Sequence, residues 1–146
     1  MKTRFVLSLA IAALCATSLY AAKAHVEKAK CPVSGEACKE DASVDYKGGK
    51  VYFCCEKCPK AFAKDTAKFA AKANMQLVAT GQAKEVKCPL AGKDLNPSTA
   101  IKVGGVDVCF CCNKCKGAVS KLSGDEQIDK VFNDEAFEKG FKVSEK

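Results

Sequence analysis

Residues 44–58 decide the fold, and they read Val44-Asp45-Tyr46-Lys47-Gly48-Gly49-Lys50-Val51-Tyr52-Phe53-Cys54-Cys55-Glu56-Lys57-Cys58. Apolar residues alternate on both sides of the Gly48-Gly49 pair, which is a short-range signal for a two-stranded hairpin. Pro59 follows at a position that suits the first turn of a helix, because a missing N–H costs nothing there. The stretch therefore predicts a β-hairpin that leads into a helix, with three cysteines at the junction.

The same pattern recurs 57 positions later in the chain. Laid over each other without a gap, residues 31–58 and 88–115 agree at ten positions, which are Cys31/Cys88, Pro32/Pro89, Gly35/Gly92, Gly48/Gly105, Val51/Val108, Phe53/Phe110, Cys54/Cys111, Cys55/Cys112, Lys57/Lys114 and Cys58/Cys115. Four of these identities are cysteines. Packing seldom requires a thiol where Ala or Val would fill the space, so the repeat implies cross-linking or the ligation of a soft metal.

The duplication divides the chain into two small units. We predict a first module at 31–80, a polar linker at 81–87 and a second module at 88–142. Units of this size have a thin core and commonly need a metal, disulfides or a docked partner. The predicted fold class is α+β, with two tandem treble-clef-like modules that each consist of a β-hairpin followed by helices.

Apolar stripes predict further helices after each hairpin. The first half carries an N-cap at Asp65 or Thr66 and a stripe made of Phe69, Ala70, Ala73 and Leu77. In the second half, Ser123 to Glu126 has capping-box spacing, Gly140 is the predicted stop, and the stripe consists of Ile128, Val131, Phe132 and Ala136. We interpret both stripes as core.

The first 24 residues have the layout of a secretory signal peptide. A positive start at Lys2 and Arg4 precedes an apolar run over 5–19, and small residues follow. The run is too short for a dependable membrane span, and Leu14 ahead of Cys15 disfavours a lipoprotein. We therefore expect a periplasmic or secreted protein without a membrane span, which keeps ten of its eleven cysteines in an oxidising compartment.

Two classes of function are disfavoured by composition. The chain has a formal net charge of +7, but its only arginine leaves with the leader, and nucleic-acid readers depend on the planar fork of Arg. Catalysis has little support, because the only histidine is His25, outside both repeats, and no nucleophile triad or phosphate loop is evident. The protein is predicted to be neither a nucleic-acid binder nor an enzyme.

Eight cysteines are candidate metal ligands, namely Cys31, Cys54, Cys55, Cys58, Cys88, Cys111, Cys112 and Cys115. Each CxxC places two sulfurs near one ion at the start of a helix. Cys31 lies 23 residues before Cys54, and Cys88 lies 23 residues before Cys111, so each can return across its hairpin as another ligand. The helix dipole stabilises thiolates at this place. Four thiolates would suit zinc and three would suit Cu(I), so the identity of the metal stays open between Zn and Cu(I).

A disulfide scaffold is the main alternative, because small exported domains often use one. Neighbouring Cα atoms are about 3.8 Å apart, which is too close for a Cys54-Cys55 or Cys111-Cys112 bridge, but bridges to other partners stay open. Thiol-disulfide catalysis is a third reading, weakened by the lack of thioredoxin-like alternation around either CxxC. Cys38 and Cys109 break the duplication and are extra ligands, halves of a bridge or buried thiols.

The residues also carry a family resemblance. The pattern Tyr46-x-Gly48-x-x-Val51-Tyr52-Phe53-Cys54-x-x-x-Cys58-x-x-x-Phe62, with Cys31 ahead of it, resembles the TRASH and YHS group of small treble-clef-like modules, and residues 88–142 look like a second copy. TRASH modules are associated with trafficking, resistance to and sensing of heavy metals. Their three-cysteine pattern maps onto Cys31, Cys54 and Cys58, and onto Cys88, Cys111 and Cys115.

The chain departs from that group at two places. The Tyr-His-Ser signature is replaced by Phe-Cys-Cys in both repeats, and Ser34 and Ala91 stand where related modules often have cysteine. The resemblance implies metal binding. We predict an exported protein that binds Cu(I) or Zn through cysteine thiolates for buffering, delivery or structural closure, with a metal-donor or acceptor protein as a further candidate partner. The alternative is a disulfide-stapled extracellular interaction module without metal.

Overall fold

Two β-hairpins, one in each half of the chain, organise the structure. The computed structural model describes residues 26–144, so the predicted signal peptide, Cys15 and His25 lie outside the described residues. The elements are, in chain order, β1 Lys39–Tyr46, β2 Gly49–Phe53, α1 Lys57–Lys64, α2 Thr66–Ala79, β3 Ala83–Glu85, β4 Asn96–Val103, β5 Val106–Phe110, α3 Asn113–Ser120, α4 Gly124–Phe132, α5 Asp134–Gly140 and β6 Phe141–Val143. The predicted α+β class, with a hairpin followed by helices in each half, is confirmed.

The first hairpin turns one residue earlier than predicted. Strands β1 and β2 are antiparallel and pair Tyr46 with Gly49, which leaves Lys47 and Gly48 as the turn, with φ values of 48° and 82°. A two-residue turn of this hand needs positive φ at both positions. Gly49 is required for a different reason, because a Cβ there would lie 2.8 Å from Cδ2 of Leu77.

The helix signals were partly right. Asp65 caps α2, since its carboxylate accepts a hydrogen bond from the N–H of Lys68 at 3.2 Å, as predicted. Ser123 precedes α4 but its side chain makes no capping hydrogen bond, so that part of the prediction is wrong. The single predicted helix of the second half is divided, because the side chain of Asn133 accepts from the N–H of Ala136 at 2.9 Å and starts α5.

Helix α2 lies between the two halves. Its residues 74–77 are all buried, so the helix is enclosed beyond the predicted stripe, and it packs against α4. The Asn74 amide donates to the Phe132 carbonyl at 2.8 Å and to Asp134 Oδ1 at 2.9 Å. One cluster of buried apolar residues contains Phe53 from the first hairpin and Phe110 from the second. The halves therefore share a core.

The third sheet lies partly within the predicted linker. Strand β3 pairs with β6 in an antiparallel register that places Ala83 opposite Val143 and Glu85 opposite Phe141. This sheet brings the chain before the second hairpin against its C-terminal end. Across residues 26–144, no helix combines the length and apolar character needed to cross a membrane.

Candidate metal centres

The first centre consists of the sulfurs of Cys31, Cys54 and Cys58, which all lie within 4.8 Å of one another; we call them the first thiol group. Cys31 opens a tight turn in which its N–H donates to Glu36 O at 2.8 Å. Cys54 follows the last residue of β2, and Cys58 lies in the first turn of α1. Strand, turn and helix therefore deliver one thiol each, as the hairpin-to-helix pattern predicted.

The second centre repeats this construction. The sulfurs of Cys88, Cys111 and Cys115 lie within 4.8 Å of one another and form the second thiol group. The Cys88 N–H donates to Lys93 O at 2.8 Å, which is the hydrogen bond that closes the equivalent turn. The structure therefore brings six of the eight predicted ligand cysteines into two groups of three.

The spacing of the sulfurs fits shared ligation. The distance between Sγ of Cys54 and Sγ of Cys58 is 3.5 Å, and that between Cys111 and Cys115 is 3.8 Å. Two thiolates that each lie about 2.3 Å from one tetrahedral zinc are about 3.8 Å apart. The donor sets contain sulfur alone, which suits Cu(I) and Zn and does not suit Mg or Ca. Both groups can thus hold a soft metal ion.

Cys55 and Cys112 lie at the rim of these groups, and both are exposed. Their sulfurs are not among those that lie mutually within 4.8 Å. Cys55 Sγ is 3.6 Å from Cys58 Sγ, whereas Cys112 Sγ is 3.8 Å from Cys111 Sγ. Each group therefore has a fourth thiol beside one of its members, and that member differs between the halves.

One buried thiol in each group is acidified. Burial alone would raise the pKa of Cys31, but the Ser34 hydroxyl and the backbone N–H groups that face its sulfur outweigh burial and lower the pKa to about 7. Burial also opposes ionisation of Cys88, and the backbone N–H groups of Cys111 and of its own turn outweigh it, so its pKa is lowered as well. Each group therefore contains a thiol prepared to ionise first.

The helix cysteines are shifted in the opposite direction. Burial, together with the neighbouring thiols, raises the pKa of Cys58, and the same causes raise the pKa of Cys115 to about 12. A thiol of this kind stays protonated at neutral pH unless a cation replaces its proton. At the rim, backbone N–H groups at the start of α3 lower the pKa of Cys112 to about 7.

Ser34 contacts the first thiol group in a way that the sequence did not reveal. Its hydroxyl oxygen lies 3.2 Å from Cys54 Sγ, and it is also one of the groups that lower the pKa of Cys31. Ala91 occupies the equivalent position of the second half and has no hydroxyl. The signal was present as a mismatch in the repeat, but a mismatch does not show which sulfur the side chain approaches.

The two cysteines that break the repeat lie outside both groups. The thiol of Cys38 donates to the Tyr52 carbonyl at 3.1 Å, and burial raises its pKa to about 12. The residue is half-buried, so it matches the buried-thiol alternative only in part. Cys109 is half-buried, and burial also raises its pKa. All ten cysteines within residues 26–144 carry free thiols in the structure.

A shallow groove of about 480 Å³ opens beside the rim thiol of the first group. Its lining combines two ammonium groups and two carboxylates around that thiol, and consists of Lys39, Asp41, Ala42, Cys55, Glu56 and Lys57. The groove gives a molecule from solution access to the Cys55 sulfur.

No protein-family model, curated protein or solved structure matches this chain.

Proposed function

We propose that this protein is an exported carrier of soft metal ions, in which each thiol group binds one Cu(I) or Zn ion for buffering or delivery. The observation that carries the proposal is the convergence of three sulfurs within 4.8 Å, twice in one chain. Hydrophobic packing does not require such clusters, whereas a thiophilic cation does. The resemblance to TRASH modules supports the same function.

The residues of each group have distinct tasks. Cys31 and Cys88, whose pKa values are lowered, supply the first thiolate to an arriving ion. The remaining thiols then ionise as the cation displaces their protons, so that binding releases protons and weakens as the pH falls. In this scheme the metal is cargo, and the thiol groups are the sites that bind and release it.

Cargo is favoured over a purely structural metal by two features of the structure. The core that joins the halves through α2 contains large apolar side chains, so the fold has a source of stability apart from the thiol groups. The rim thiols Cys55 and Cys112 are exposed, which lets an acceptor thiol approach a bound ion and exchange with it. A structural zinc site is commonly closed.

Export and the absence of catalysis are parts of this proposal. The layout of residues 1–24 supports a signal peptide and a periplasmic or secreted location. Intact mass of the protein recovered from the exporting host tests this part, with a new N-terminus between Ala22 and His25 as the expected result. Retention of the leader would contradict it.

Anaerobic titration of the reduced protein with Cu(I) or Zn tests the function. We expect two ions per chain, and one ion in each of the variants Cys58→Ser and Cys115→Ser, because each removes a ligand from one group. Cys38→Ser is the matched control, since that half-buried thiol lies outside both groups, and it should still bind two ions. A native protein without free thiols or metal, whose fold survives a chelator, would instead support the disulfide-stapled module.

A further inference from the structure

The side chain of Gln76 clasps the first hairpin. Its Oε1 accepts the Tyr52 N–H at 2.7 Å and its Nε2 donates to the Tyr52 carbonyl at 2.8 Å. The same Nε2 lies 2.8 Å from the carbonyl of Lys30, the residue before Cys31. Since Tyr52 precedes Cys54 by two positions, this amide ties together the two chain segments that carry Cys31 and Cys54.

The equivalent of Tyr52 in the second hairpin is Cys109. Both backbone groups of the next residue, Phe110, are bonded to the Thr99 hydroxyl, at 2.8 Å through the N–H and 2.6 Å through the carbonyl. The backbone groups of successive strand residues point to opposite edges, so the N–H and the carbonyl of Cys109 both face away from β4. There the N–H donates to Oε2 of Glu85 at 2.9 Å.

Glu85 therefore makes the contact at the second hairpin that Gln76 makes at the first, since each accepts the backbone N–H of the equivalent strand residue. The two differ in one respect, because an amide offers one acceptor and one donor, whereas a carboxylate offers acceptors only. The second oxygen of Glu85, Oε1, is buried and has no hydrogen-bond partner within residues 26–144. A proton on this oxygen would give Glu85 the donor that Gln76 already has.

We propose that Glu85 is a positioning residue of the second thiol group and works as a neutral carboxylic acid, which accepts from the Cys109 N–H and donates to the Cys109 carbonyl. Glu85 precedes Cys88 by three positions and Cys109 precedes Cys111 by two, so the clasp joins the segments that carry these two thiols. The inference rests on the proposed function only where metal affinity is its readout.

The surroundings of Glu85 favour the neutral form. Burial raises the pKa of Glu85 to about 7, although the Cys109 N–H acts in the opposite direction. No ion pair to this carboxyl occurs within residues 26–144. The charged side chains on the elements around it are exposed or paired elsewhere: Lys84 and Lys142 on β3 and β6 are exposed, Lys72 of α2 pairs with Asp125, and Asp107 of β5 pairs with Lys102. The Cys109 thiol does interact with Glu85, since burial and then the charge of Glu85 raise the pKa of this thiol.

The direction of the pH dependence follows from the raised pKa. The folded protein holds a proton on Glu85 that the unfolded chain releases near the ordinary pKa of a glutamate. The clasp therefore stabilises fully below about pH 4.5 and weakens as the pH rises to about 7, above which the carboxylate persists. Glu85→Gln replaces the acid by a permanent donor and should remove this dependence.

Amide NMR and metal competition together test the inference. In the parent protein the Cys109 amide resonance should shift with a midpoint near pH 7, and in Glu85→Gln the shift should be much smaller, since only the nearby thiols then titrate. Cu(I) affinity of the second group is measured in the Cys58→Ser background. At about pH 8 Glu85→Gln should bind about fivefold more tightly than its parent, the size of one hydrogen bond, with convergence at about pH 6.

Two further variants make the test specific. Glu85→Ala removes the clasp and should bind Cu(I) more weakly than the parent at every pH, while Glu126→Gln, at an exposed carboxylate, should match the parent. A Cys109 amide that does not titrate near pH 7, or a Glu85→Gln variant as weak as Glu85→Ala, would overturn the inference. Because the amide readout needs no metal, failure of the proposed function would be seen separately, as absence of Cu(I) binding.

Discussion

The first and second thiol groups have the same three cysteines at the same spacing, yet the groups around them differ. In the first, Ser34 approaches Cys54, and the helix cysteine Cys58 is buried. In the second, Ala91 offers no hydroxyl and Cys115 is half-buried. The duplication therefore repeats the ligands while the residues that set their acidity and access diverge. We therefore expect the two groups to bind the same metal ions but to differ in their thiol pKa values and in the rate at which the metal exchanges.

The largest effect is expected at the hairpin turns, where the two halves also differ in sequence. Gly104 takes the place of Lys47, and a Cβ on it would lie 2.1 Å from Sδ of Met75 on α2. We predict that Gly104→Ala destabilises the fold by about 2 kcal/mol, the usual cost of overpacking. Chemical denaturation measures this. Gly105→Ala, at a site with no atom within 4 Å, is the control for backbone strain and should cost less; equal costs would show that the contact with α2 does not matter.

The rim thiols allow a second prediction, about choice of metal. Zinc favours four ligands and Cu(I) is satisfied by three, so the Cys55 thiol should matter to zinc alone. Cys55→Ser should weaken zinc binding at the first group by more than about tenfold, because loss of even an outer partner of a ligand commonly costs that much, and should leave Cu(I) affinity unchanged. Competition titrations in the Cys115→Ser background isolate this group. An equal loss of affinity for zinc and Cu(I) would show that Cys55 ligates both metals and would contradict this prediction.

The smallest effect is expected at Ser34, where one substitution in each half exchanges the residue types of the two thiol groups. Removing its hydroxyl in Ser34→Ala should raise the pKa of Cys31 from about 7 towards the ordinary thiol value, so the thiolate of this residue forms at higher pH. Metal affinity of the first group near neutral pH should fall about fivefold, the size of one hydrogen bond. Thiolate absorbance against pH follows the shift, and Ala91→Ser should change the second group in the opposite direction. If the thiol titration of both groups is unchanged in these variants, the Ser34 hydroxyl does not set the pKa of Cys31.

The local part of this structure was accessible from sequence. Alternation around the glycines, Pro59 at the start of a helix and the repeated cysteines are short-range signals. Together they predicted the hairpin, the helix and eight candidate thiols, of which the structure brings six into two groups. Phe62 of α1 packs against the hairpin, with its ring 5.4 Å from that of Tyr46 and 5.5 Å from that of Phe53. These contacts follow from strand and helix periods alone.

The long-range part was not accessible. The sequence does not show that Gln76 bonds the backbone of Tyr52, 24 residues before it, or that Glu85 bonds that of Cys109, 24 residues after it. A polar side chain does not indicate which distant backbone group it will contact. The division of the last helix at Asn133 was missed for a related reason, since the apolar spacing continues across the break. Each of these features depends on one polar side chain that bonds a particular backbone group, and the apolar spacing of the sequence does not report such a bond.

X-ray absorption at the metal edge of the Cu(I)-loaded protein tests the central claim most directly, because it counts the atoms bound to the ion. The account predicts two copper ions per chain, each with three sulfur neighbours and no nitrogen or oxygen, and one such ion in Cys58→Ser or Cys115→Ser. Copper that is bound through nitrogen or oxygen, or a single ion shared between the two groups, would contradict the account.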